Sequence, residues 1–371
     1  MPDRQVRENQ IAGARRIVVK VGTNSICHPA GGVNHQAVEA LAAQIAPLIA
    51  EGRSVILVAS GAIGTGLAEL GLAARPTSLP MLQATAAVGQ APLMRAFHDA
   101  FAAHGQKVAQ VLVTRDAFED RTRYLNVRNT LGALADLRVL PIINENDTVA
   151  TDEIRFGEND VLAALVTNMI GAEVLVLLTN VDGLMQDGQV LDVVEQVGPQ
   201  THSLVLTERS ALGSGGMTTK LTAAGMVTQA GSAAVIANAS SPQVLGRLLS
   251  GERIGTVFIP AQRRLSSRRR WIGQASRPAG RLVIDDGAAR ALLQRGKSLL
   301  PSGIVAVSGR FARGATVAVF DTAGREIARG LVNYGADQLD RIKGLRSSQI
   351  AKTLGEKPYD EAIHRNNLML R

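Results

Sequence analysis

The stretch IVVKVGTNS, residues 17–25, begins as an apolar run interrupted only by Lys20 and ends in a glycine followed by small polar residues. A nearly continuous apolar run of this length suits a strand buried on both faces, as in a parallel sheet. The same signature recurs in SVILVAS (54–60), VAQVLVT (108–114), VLPIIN (139–144), VLVLLT (174–179) and AAVIAN (233–238). Ala- and Leu-rich stretches with helical character lie between them, at 35–51, 80–104, 124–137, 160–170 and 217–231. This alternation predicts an α/β fold, a mainly parallel sheet sandwiched by helices, with ligands at the C-terminal ends of the strands.

At 371 residues the chain is long for one domain, and its charge divides it. Residues 1–262 hold 19 Lys and Arg against 23 Asp and Glu; residues 263–371 hold 21 against 9, so the net +8 comes from the tail. The break falls in AQRRLSSRRRW (261–271), a basic stretch of linker composition. The expected division is a first domain over 1–262, a linker over 263–278 and a small mainly-β domain, barrel or sandwich, over 279–371. In that last segment short strands alternate with glycine-containing turns. No apolar run reaches the ~18–20 residues that span a bilayer, and the charged N-terminus lacks the apolar segment of a signal peptide. A single cysteine, Cys27, excludes an internal disulfide and a cysteine-based zinc cluster. A soluble cytoplasmic protein with an aliphatic core is expected.

The chemistry belongs in the loops after the strands. Ser60-Gly61-Ala62-Ile63-Gly64-Thr65-Gly66 and Gly213-Ser214-Gly215-Gly216-Met217-Thr218-Thr219-Lys220 are glycine-rich turns leading into helical stretches, where backbone N–H groups can face an anion. Each also reads as a plain turn, and neither has the spacing of a P-loop or a dinucleotide fingerprint. Lys20 either points at a phosphate from the sheet edge or snorkels from an edge strand, since burying an unpaired ammonium costs several kcal/mol. Residues 144–160, NENDTVATDEIRFGEND, gather six carboxylates against Arg155. They form either a solvated turn or a partner for something positive, a metal or a substrate ammonium. Within them Asp147 follows a strand, while Asn159 and Asp160 open a helix and could simply cap it. The spacing is not that of an EF-hand. The histidines show no HExxH or other metal-ligand spacing, so no protein-held metal is expected, and no G-x-S-x-G nucleophile elbow is present.

In this order, VVKVGTNS, SGAIGTG, PIINENDTVATDEI with GEND, LLTNVDGL and GSGGMTTKL resemble the amino acid kinase family, in particular its branch acting on free glutamate. RRWIG and GKSLLPSGI extend the likeness through a tail that resembles a PUA domain, so it covers roughly residues 15–371. The resemblance implies ATP-dependent phosphorylation of the γ-carboxylate of L-glutamate to L-glutamyl 5-phosphate, the first step of proline biosynthesis, with ATP and Mg²⁺. By the same resemblance Lys20, Asp160 and Lys220 are catalytic, with Asp160 organising the lysines. Ser60, Asp147 and Asn159 hold glutamate, its ammonium at Asp147 and its α-carboxylate at Ser60 and Asn159. Lys20, Gly22, Thr179, Asn180, Ser214, Gly215, Gly216, Met217, Thr218, Thr219 and Lys220 contact ATP. The family often has Thr-Asp where this chain has Thr179-Asn180, which puts that nucleotide contact in question. Feedback by proline, sensed around Glu153, a homotetramer and RNA contact by the tail are further implications. Two rivals stay open: a family member acting on acetylglutamate, aspartate, carbamate or a nucleotide, and an RNA-binding protein with a vestigial kinase fold. Against the latter, Trp271, Phe311, Phe320, Tyr334 and Tyr359 are a thin aromatic supply for base stacking in the tail.

Overall fold

The computed structural model describes residues 7–150, 158–207, 215–261, 271–272 and 278–370. The chain divides into two compact units, Met1–Ala117 with Thr122–Arg264, and Phe118–Arg121 with Leu265–Arg371. The first is built on an eight-stranded sheet. Its strands are β1 (Arg16–Val21), β2 (Ser54–Ala59), β3 (Val108–Val113), β4 (Leu140–Glu145), β5 (Val174–Thr179), and, beyond a small hairpin of β6 (Met185–Gln186) and β7 (Gln189–Val190), β8 (Val193–Val194), β9 (Ala233–Asn238) and β10 (Thr256–Phe258). They run in the order β3-β4-β2-β1-β5-β9-β10-β8, all neighbours parallel except β9 and β10.

The six apolar runs are the six long strands of this sheet, each within a residue or so of its expected bounds. β1 lies between β2 and β5, and all its residues after Arg16 are buried. Its Val and Ile side chains therefore pack on both faces of the sheet. Lys20 sits in this central strand, so the edge-strand reading of that lysine does not hold. The helices on the sheet are His35–Ala50, Leu79–Ala102, Arg121–Asp136, Glu158–Ile170 and Gly215–Gln229. Asn34 starts the first of them, its Oδ1 accepting from the Ala37 N–H at 3.1 Å.

One more helix, Ala62–Glu69, occupies the glycine-rich segment after β2, where the sequence reads as a turn. Two close backbone approaches hold it. A Cβ on Gly66 would lie 1.9 Å from the Thr85 carbonyl oxygen, and one on Gly89 would lie 2.0 Å from that of Ala62. Only hydrogen at both positions lets this helix rest on Leu79–Ala102. At its start Gly61 has φ of 118°, the left-handed region that glycine alone enters without strain.

The second unit contains a five-stranded sheet in the order β12-β11-β13-β14-β15, formed by β11 (Gly280–Ile284), β12 (Ile304–Gly309), β13 (Thr316–Phe320), β14 (Glu326–Leu331) and β15 (Leu368–Leu370). Helices Asp286–Arg295 and Ala336–Ile342 accompany it, and Leu282, Val317, Val319, Tyr334 and Leu339 are among its core residues. Among the described residues no helix is long and apolar enough to cross a membrane.

Candidate active site

At the C-terminal edge of the first sheet, three ionised side chains meet out of water. Lys20 rises from β1 between its register neighbours Val58 and Leu177. Its Nζ lies 2.7 Å from Oδ1 of Asp160, in the first turn of Glu158–Ile170. Lys220, in the helix Gly215–Gln229, places Nζ 3.4 Å from Asp160 Oδ2, and the Thr219 hydroxyl donates to the same oxygen at 2.8 Å. Lys20, Asp160 and Lys220 are 5%, 1% and 9% exposed. Lys220 also donates to the Gly216 carbonyl at 3.1 Å, as does Thr219 at 2.9 Å, so the first turn of the helix fixes both side chains.

Two ammoniums against one carboxylate leave the cluster with a net positive charge. Burial is the largest influence on Asp160 and pushes its carboxyl up. The charges of Lys20 and Lys220 and the hydrogen bonds from Lys20 and Thr219 outweigh it and hold the group below the usual carboxylate range. Lys220 is pushed below the ordinary lysine value, mainly by burial; Asp160 opposes this and the neighbouring charge of Lys20 adds to it. Such a cluster repels further cations and attracts an anion that can reach it.

A cavity of about 550 Å³ opens beside it, lined by Ser60, Asn159, Asn144, Asp147, Arg75 and the first turn of Ala62–Glu69, among others. Asn159 precedes Asp160 in the chain and joins the two regions. Its Nδ2 donates to Ser60 Oγ at 2.9 Å and to Asn144 Oδ1 at 3.0 Å. Asn144, at the end of β4, donates in turn to Gln90 Oε1 at 3.0 Å. Asp147 lies in a single turn of 3₁₀ helix, Asp147–Val149, directly after β4. Gln83 ties the end of that turn to the long helix through the Ala150 carbonyl, at 3.1 Å.

The structure thus brings together Lys20, Asp160, Thr219 and Lys220, and separately groups Ser60, Asp147 and Asn159 around the cavity. Gly22 and Gly216 adjoin the first cluster: a Cβ on either would lie 3.5 Å from Nζ of Lys20 or Lys220 respectively. Gly215, Met217 and Thr218 belong to the first turn of the helix that carries Lys220. Thr179 ends β5, buried, with its hydroxyl 3.3 Å from Oδ1 of Asn180, itself exposed. Ser214 and Glu153 lie outside the described residues. Asn144, Gln90 and Arg75 were not singled out from sequence; of these only Asn144 falls in a quoted motif, the NEND run. Among the described residues no group of three or more His, Cys, Asp or Glu could hold a metal ion.

The model of the amino acid kinase family matches residues 15–238, and that of the PUA domain matches residues 280–354. A protein of Geobacter sulfurreducens named Glutamate 5-kinase is 45% identical over 372 residues, covering 98% of this chain and all of that one. Proteins of the same name from Moorella thermoacetica and Caldanaerobacter subterraneus are 44% and 46% identical, each alignment covering 96–97% of this chain and 97% of the relative. Among solved structures, the carbamate kinase from Giardia lamblia bound to AMP-PNP superposes with a TM-score of 0.49 at 18% identity. It covers 68% of this chain and 100% of that one, a likeness too loose to carry weight.

Proposed function

The chain belongs to the amino acid kinase family, and we propose that it transfers the γ-phosphoryl group of ATP to the γ-carboxylate of L-glutamate, giving L-glutamyl 5-phosphate for proline biosynthesis. The observation that carries this reading is the buried Lys20–Asp160–Lys220 cluster opening beside the cavity of Ser60, Asn159 and Asp147. It occurs in a chain 44–46% identical, along nearly its whole length, to proteins named Glutamate 5-kinase.

The chemistry asks for few groups. The γ-carboxylate is ionised at neutral pH, its unperturbed pKa being ~4.3, so no general base is required. One of its oxygens bonds to Pγ as the bond from Pγ to the β,γ-bridging oxygen breaks, and ADP leaves with that electron pair. Bringing two anions together and spreading charge over the transferred group are the obstacles, which makes positioning and cationic stabilisation the catalytic means. Lys20 and Lys220 supply the positive field, with Gly22 and the turn Gly215–Lys220 around the phosphates. Asp160 holds both ammoniums in place while its single charge leaves the field positive. The nucleotide extends toward Thr179 and Asn180. Magnesium enters with ATP as part of that substrate.

At the other end of the cavity Asp147 pairs with the α-ammonium of free glutamate. An N-acylated glutamate lacks this charge and would forgo that pairing. A hydroxylamine trap with ATP, Mg²⁺ and either glutamate or N-acetylglutamate tests the reading. Acyl hydroxamate from glutamate alone is expected; product only from the acetylated acid would refute the specificity, and none from either would refute the activity. The proposal extends to inhibition by proline, a homotetramer, and RNA contact by the basic tail. Initial rates with added proline, sedimentation, and salt-dependent RNA retention by the full chain test these in turn. We also keep 1–262, 263–278 and 279–371 as the proposed limits of kinase domain, linker and PUA-like domain.

A further inference from the structure

Glutamate offers two carboxylates and one ammonium, and the cavity must distinguish the two carboxylates if only one is to be phosphorylated. Three features of its lining could receive an anion. The first is the start of helix Ala62–Glu69, where Gly61 to Gly64 line the cavity and the first-turn N–H groups have no intrahelical acceptor. Ser60, just before it, donates its N–H to the Val21 carbonyl at 3.1 Å, which places this end beside β1 and Lys20. The second is the Asn159 amide. Its Nδ2 is committed to Ser60 and Asn144, and the remaining atom, Oδ1, is an acceptor that a carboxylate would not approach. The third is Arg75, in the segment between Ala62–Glu69 and Leu79–Ala102.

Among the described residues lining this cavity, Arg75 is the only Lys or Arg, and Asp147 and Glu145 are the carboxylates. Arg75 is partly buried, and after burial the main influence on its guanidinium is the charge of Asp147, so the two lie within electrostatic reach of each other. An α-amino acid carries its ammonium and its α-carboxylate on one carbon. A site for both must therefore present an anion and a cation side by side, and Asp147 with Arg75 is such a pair. The γ-carboxylate has to reach the lysine cluster and so takes the end at Ser60 and the helix start.

Building on the function proposed above, we infer that Arg75 binds the α-carboxylate of the acceptor, so that Asp147 and Arg75 together read the zwitterionic end and fix which carboxylate reacts. This moves the α-carboxylate away from Ser60 and Asn159, where the sequence reading had placed it. Arg75 is then a determinant of specificity, and a guanidinium suits the role because it meets a carboxylate in bidentate fashion.

The test compares L-glutamate with its α-amide, which keeps the γ-carboxylate and the ammonium but loses the α-carboxylate charge. Steady-state rates are measured for the full-length enzyme, Arg75→Gln and Arg75→Lys. The wild type should prefer glutamate by about 30- to 100-fold in kcat/KM, the range for a partly exposed charged pair. In Arg75→Gln the glutamate KM should rise by a similar factor with the ATP KM unchanged, the α-amide should be used as before, and the preference should fall to near one. Arg75→Lys should recover part of it. An unchanged glutamate KM in Arg75→Gln, or an equal loss for both substrates, would overturn the inference while leaving the kinase reading intact. A wild type that phosphorylates neither acid would bring down both.

Discussion

The lysine–aspartate cluster and the cavity next to it are built on opposite principles. The cluster is dry, and its three ionised groups hold one another through contacts of 2.7 and 3.4 Å from a strand and two helix starts. The cavity is open, and its charged lining residues include Glu145 at the end of β4, Asp147 on a short turn and Arg75 on a connecting segment. Charge stabilisation gains from low dielectric and fixed geometry, whereas choosing an acceptor requires groups that solvent and substrate can both reach. Perturbing the first should alter the rate of the chemical step, and perturbing the second should alter affinity for the acceptor.

The largest effect should come from Lys220→Ala, which removes half of the cationic field. A fall in kcat of roughly 10³-fold is expected, in line with the loss of one cation or oxyanion donor in comparable sites. A variant within tenfold of wild type in kcat would break the distinction, since an ammonium in the dry site would then contribute no more than an exposed one. Next is the support between the two regions. Gly89→Ala forces a methyl onto the Ala62 carbonyl and should destabilise the protein by about 3 kcal/mol. A thermal shift downward of about 6–12 °C would report it. An unshifted melt would mean that helix Ala62–Glu69 does not depend on that close contact.

The pH profile gives a third test. Lys220 must be charged to act, and burial places its pKa below the ordinary lysine value of ~10.4. Because the charged form is lost as pH rises through that lowered pKa, kcat should decline on the alkaline side before an ordinary lysine would titrate. A flat profile up to the usual lysine range would contradict it. The smallest effect belongs to Thr219→Val, which removes one hydrogen bond to Asp160 but neither ammonium. A loss of about 1 kcal/mol, or roughly fivefold in kcat, is expected.

The same contrast governs what could be read from the sequence. β1, β2 and β5 are legible because burial on both faces leaves continuous apolar runs, and Lys20 stands out as the charge within one. Asp160 and Lys220 are legible because each lies near the start of a helix beside a recognisable turn. Helix Ala62–Glu69 is not, since its glycines argue against a helix locally and its reason for forming is the packing of Gly66 and Gly89 across more than twenty residues of chain. Arg75 lies in a Pro-, Thr- and Ser-containing segment with no periodicity, and its meaning comes from Asp147 far along the chain. Arg7 shows the same limit. In the sequence it belongs to a charged N-terminus; in the fold it is fully buried, pairs with Asp192 and donates to the carbonyls of Ile254 and Gly255 at 2.9 and 2.8 Å. Those carbonyls lie just before the short strand β10, which no sequence pattern announces.

The most direct test of the account is the kinetic split between Asp160→Asn and Asp147→Ala, measured side by side with saturating ATP and varied glutamate. The account predicts that Asp160→Asn lowers kcat by roughly 10³-fold with little change in the glutamate KM. It predicts that Asp147→Ala raises that KM by roughly 10²-fold, the loss of a charged partner, with kcat largely kept. If both substitutions fell on the same kinetic parameter, the separation of a dry transfer centre from an acceptor-reading cavity would be contradicted.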